Sequence, residues 1–285
     1  MRSFRVEILV TVLILAFCLM VNAEIPLSEK TSEDVVSNRA RIKQQISTGA
    51  TALETGLPSI AARIIAQVLK DLPEGDNRAE DLRLKWVTAL LAIGKFEEAE
   101  KAMAVELGLD QPMWELRRAM LDLALGRMDA AASHLDAVGL EALPQDELCW
   151  VFYVRGLLKW DSGEQGAGLE LMQKAVELAA FPAQRAQMEL ALYQRRILTG
   201  PVGLEMVEDL KKKTEAFKGQ RAGFQFAQEY ALALHKLGQH ANALNVLEAH
   251  LALLSGSDGR DRDQLLLLIG SLSGKESGRG LLALK

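Results

Sequence analysis

The chain has 285 residues, a formal net charge of −5, 49% hydrophobic and 25% charged residues, a balance that excludes disordered and collagen-like chains. Aromatics are only 5%, so the apolar content rests on Leu and Ala, strong helix formers, which argues against β-rich classes. A sequence pI near 5.6 gives no footprint for nucleic acid, and no such partner is expected.

Residues 1–23 read as a secretory signal peptide. Arg2 and Arg5 make a basic start, Ile8 to Val21 carries no charge, and small residues at Val21 and Ala23 predict cleavage after Ala23. The run is shorter than the roughly 20 residues that span hydrocarbon. An uncleaved membrane anchor is the competing reading, and a membrane contact is expected only in that case. Cys18 follows Phe17 rather than a small residue, so lipidation is rejected. The mature chain would keep only Cys149, which excludes an internal disulfide. It also has no Asn-x-Ser/Thr site, and the expected location is exported, periplasmic or secreted. Residues 24–39 are expected to hold a linker, polar over 24–33, and the start of the first helix.

Self-similarity organises residues 40–256. Helical patterns break at Gly56, Gly94, Gly126, Gly163 and Gly238, each followed five positions later by a small residue: Ala61, Ala99, Ala131, Gly168 and Ala243. A sixth copy fits if its turn is centred on Leu198, with Gly203 as the small residue. Seven residues before each turn lie Gly49, Val87, Ala119, Gly156, Ala191 and Ala231. Prolines keep a second clock, since Pro73, Pro112, Pro144 and Pro182 fall where units should end. Pro58 and Pro201 come just after a turn, at helix starts where a missing N–H is harmless.

The physics is a helical hairpin. A glycine ends the first helix in the left-handed conformation, and small residues let the second helix approach closely. One hairpin cannot bury its own apolar face, so hairpins stack. An irregular helical bundle is the alternative. These residues resemble the tetratricopeptide repeat (TPR) family, most clearly at Gly94/Phe96/Ala99 and at Gly56/Ala61/Pro73. Gln165 and His240 replace the usual aromatic after the turn, and the fifth unit is degenerate. The resemblance implies an all-α fold, a right-handed superhelical solenoid of about six helix-turn-helix repeats. Residues 257–285 follow as a partial repeat or cap and tail. Leu265 to Ile269 is apolar there, so something must cover it or the chain continues.

No constellation points to catalysis, and no enzyme activity, cofactor or metal is expected. Gly270-Ser271-Leu272-Ser273-Gly274-Lys275-Glu276 resembles a phosphate loop but has three residues between its glycines and Glu276 where a hydroxyl is needed. Gly163, Gly166 and Gly168 follow a helix rather than a strand and read as a turn. His134, His235, His240 and His250 show no metal-ligand spacing. No Gly-x-Ser-x-Gly elbow occurs. Lys211-Lys212-Lys213 reads as a solvated helix face.

What remains is a surface. The resemblance implies that the first helices of successive repeats line a concave groove for a peptide or protein segment. Trp150, Tyr153, Leu157 and Trp160 form one helical stripe. The same register gives Met113 and Met120 in the third unit, Arg195 in the fifth and His235 in the sixth. The expected groove is aromatic and Met-rich in the middle and basic towards the C-terminal side. The competing reading packs this stripe against the neighbouring repeat. The expected function is an exported scaffold for a protein or peptide partner. The alternatives are the repeat region of a larger envelope enzyme or transporter component, or a membrane-anchored assembly factor.

Overall fold

The computed structural model describes residues 27–104, 111–254 and 259–273. The expected signal, residues 1–23, lies outside them, as do Gly274 to Ser277 of the phosphate-loop look-alike. The described residues are helical, without strands. The helices are α1 (Leu27–Glu54), α2 (Pro58–Asp71), α3 (Ala79–Ala92), α4 (Phe96–Met103), α5 (Gln111–Ala124), α6 (Met128–Asp136) and α7 (Leu148–Asp161). There follow α8 (Gln165–Leu178), α9 (Pro182–Thr199), α10 (Leu204–Ala216), α11 (Arg221–Lys236), α12 (His240–Leu251) and α13 (Gly259–Leu272). Two short 3-10 turns, Leu140–Ala142 and Gln145–Glu147, lead into α7.

The chain divides into two compact units, Met1–Ser47 and Thr48–Lys285. In the first, the described backbone is helical from Leu27, so the helix begins inside the stretch 24–33 expected as a polar linker. Polarity does not forbid a helix, since Glu and Lys are good helix formers.

The second unit is a series of helical hairpins. At five turns the closing glycine is left-handed, with φ from 74° at Gly94 to 93° at Gly163. The same pair of hydrogen bonds recurs at each. At the second turn Lys95 N–H donates to Leu90 C=O at 2.9 Å and Gly94 N–H to Leu91 C=O at 3.1 Å. Such bonds satisfy carbonyls that the helix end leaves orphaned. The small residues sit at the crossings. Ala61, Ala99, Ala131 and Ala243 are fully buried, and Gly49, Val87, Ala119 and Ala231 of the first helices are buried too. A close crossing joins α7 to α8, where a Cβ on Gly168 would lie 2.8 Å from Gly156 O and 2.9 Å from Trp160 N.

The fifth hairpin departs from the expected register. Gly200 is extended (φ −112°), and Gly203 is the exposed residue before α10, with open space around it. Gly203 is therefore not a packing contact. Long side chains join the two helices instead: Tyr193 O–H donates to Asp209, and Lys213 Nζ donates to Glu189 at 2.8 Å. The C-terminal apolar run is covered in part, and its Leu267 is exposed. Leu265 and Ile269 of α13 are buried with Phe224, Leu234, Leu244 and Leu247 of the last hairpin.

Candidate functional site

The first helices of successive hairpins, with α13, surround a cavity of about 1110 Å³ that lies wholly within the second unit. That exceeds the roughly 300–1,000 Å³ typical of small-molecule sites. A long-range contact spans hairpins far apart in sequence. Arg221 Nη1, at the start of α11, donates to the Ala92 carbonyl that ends α3 at 3.1 Å, and Arg221 Nε lies 3.6 Å from Asp261.

Of the eight residues expected to line a groove, Met120, Trp150, Tyr153, Leu157 and Arg195 line this cavity. Trp150 and Tyr153 meet edge to face, with centroids 5.9 Å apart. Trp150 and Leu157 are also buried, so the stripe packs into the wall and presents edges to the cavity. Met113, Trp160 and His235 do not border it. Trp160 is ten residues from Trp150, which turns it about 80° around the helix. Its ring lies beneath the Arg195 guanidinium at 5.9 Å. Met113 is buried near the start of α5. His235 lies at the C-terminal end of α11, and the glycine turn places His240 against it, ring nitrogens 2.8 Å apart.

The C-terminal wall also differs from the expected basic surface: it is rich in carboxamides. Gln184, Gln187 and Gln194 come from α9, and Gln225 and Gln228 from α11. Gln184 is occupied structurally, donating to Asp146 C=O at 3.2 Å and accepting from Phe181 N–H. Gln187 shares a hydrogen bond with Tyr153. Gln194, Gln225 and Gln228 have no protein partner among the described residues. These positions are three and seven residues apart on α9 and three apart on α11, spacings that keep them on one helical face and are present in the sequence.

Two charged groups beside the cavity stand out. Arg117 is 3% exposed and forms a fork on Glu147 at 2.8 and 2.9 Å, while its Nε donates to Thr88 Oγ1 at 2.7 Å. It ties α3, α5 and the entry to α7 together. Glu229 of α11 is 7% exposed, and its Oε2 is buried without a hydrogen-bond donor. Burial raises its pKa to about 7, with the charge of Arg195 acting in the opposite direction. Sequence reasoning missed both, because a lone Arg or Glu in a helix carries no sign of burial.

Among the described residues, no group of three or more His, Cys, Asp or Glu is placed to hold a metal ion. The Cys149 thiol is fully buried, donates to Asp146 C=O at 3.3 Å and is raised to about 12 by burial, which suppresses the nucleophilic thiolate. No described helix is long and apolar enough to cross a membrane.

No protein-family model and no curated protein matches the chain. Among solved structures, a Rap protein complexed with competence and sporulation factor is similar in fold, with a TM-score of 0.63. The match covers 86% of this chain and 74% of that one at 11% identity. The fold is a TPR-like helical repeat. At this identity the likeness concerns architecture, and no family assignment follows from it.

Proposed function

We propose that this chain is a non-enzymatic, exported helical-repeat scaffold of the cell envelope that binds an extended peptide or protein segment in its cavity. The observation that carries the reading is a wall in which the carboxamides of Gln194, Gln225 and Gln228 have no protein partner among the described residues and face aromatic and aliphatic edges. A carboxamide offers one acceptor and two donors, the complement of a peptide unit's N–H and C=O. Trp150, Tyr153 and Leu157 supply the apolar contact area that anchors side chains. The Rap neighbour, whose structure holds competence and sporulation factor, lends support at the level of the fold. Export rests on the basic start, apolar run and small residues of positions 1–23.

The test is affinity capture from cell-envelope extract with the purified chain and with Gln194→Trp/Gln225→Trp, which crowds the cavity from two partly or fully exposed positions. A partner held by the parent and lost by the variant is the expected result. A partner held equally by both would move binding elsewhere, and no partner at all would overturn the reading. Intact mass of the exported product should match a chain beginning at Glu24.

A further inference from the structure

The charges around the cavity do not balance once the protein's own ion pairs are set aside. Arg117 is paired with Glu147, Lys85 with Asp81, and Arg221 with Asp261. The cavity-lining charges outside these pairs are the carboxyl groups of Glu54, Asp146, Asp161 and Glu229 against the single guanidinium of Arg195. Glu229 differs from the other three carboxyl groups. It is 7% exposed, its Oε2 has no donor, and Arg195 does not come within ion-pair distance of it. A buried carboxyl oxygen without a donor is costly, and a ligand cation would supply the missing partner.

Resting on the peptide-binding reading, we propose that the cavity selects a basic peptide, whose cationic group seats at Glu229, with the exposed Asp161 of α7 adding negative charge to the same cavity lining. The ammonium of an amino terminus or of Lys, or the guanidinium of Arg, meets the same need. Arg195 then acts as a brake on affinity and a filter on position. It repels a second cation placed near it and leaves the ligand one place to put its charge.

The experiment selects a display library of random ten-residue peptides on the purified full chain and on Glu229→Gln, which keeps the side chain's shape. Enriched peptides are then synthesised with free and with acetylated amino termini and titrated by fluorescence anisotropy. The expected result is a Lys, Arg or free amino terminus in the peptides enriched on the parent chain, with affinity falling at least ten-fold on Glu229→Gln. Loss on acetylation assigns the cation to the amino terminus, and loss on Lys→norleucine assigns it to a side chain. Arg195→Gln should tighten the same peptides. Thermal melts check folding, and Asp161→Asn, at an exposed position, gives a second reading with a two- to three-fold loss expected. Peptides enriched without any cationic preference, or held as tightly by Glu229→Gln, would overturn this proposal and leave the peptide-binding reading standing. A library in which nothing is enriched would overturn both.

Discussion

Arg117 and Glu229 are both buried charged side chains, yet they differ in what surrounds them. Arg117 has its forked carboxylate and a threonine hydroxyl. Removing one member of such a buried pair strands the other, which costs about 3–5 kcal/mol. Arg117→Ala should therefore lower the free energy of urea unfolding by that amount, and Arg117→Met/Glu147→Leu should recover much of it. Glu229 has no such partner, and its folded-state pKa of about 7 lies above the ordinary 4.5. The folded chain thus holds this proton more tightly than the unfolded chain. Stability from this group is intact below the unfolded value and declines as pH rises through about 7. Glu229→Gln should remove that decline. Unfolding free energies of the two proteins, measured from pH 4 to pH 8, should diverge progressively, by up to roughly 3 kcal/mol.

At the scale of helices, two kinds of glycine contribute for different reasons. Gly126 has φ 74° and open space around it, so a methyl group there meets only backbone strain, about 1–2 kcal/mol. Gly168 lies within α8, but its methyl would press on the backbone of Gly156 and Trp160, neither of which is a flexible side-chain end. Gly168→Ala should lower the thermal midpoint more than Gly126→Ala, because the helices must separate. Ala131→Leu, at a fully buried crossing, should cost about 1–3 kcal/mol by overpacking. Equal midpoints for Ala131→Leu and the parent would contradict the hairpin register. These crossings were legible in the sequence because the turn glycine and the small residue keep a fixed separation along the chain. The fifth hairpin was not. Its long side chains, Tyr193 to Asp209 and Lys213 to Glu189, do what small residues do elsewhere, and no local spacing signals that.

Across the second unit, the bond from Arg221 to the Ala92 carbonyl links α11 to α3, 129 residues apart in sequence. Arg221→Ala removes a partly exposed link at the start of α11 and leaves the hairpin crossings untouched. It should weaken ligand binding at the cavity while moving the thermal midpoint by less than Arg117→Ala, as read by parallel titrations and melts. The sequence by itself determined the helical hairpins, their turns and the small residues at five of their crossings, because these depend on backbone conformation and period over fewer than forty residues. It also placed Met120, Trp150, Tyr153, Leu157 and Arg195 on cavity-facing stripes, since a helix repeats its faces at a known angle. Tertiary structure alone decided which stripes converge, that Trp160 and His235 turn away, and that a glutamate is buried without a donor. Those outcomes depend on the angle between successive hairpins, a sum over many packed side chains that no single stretch of sequence contains.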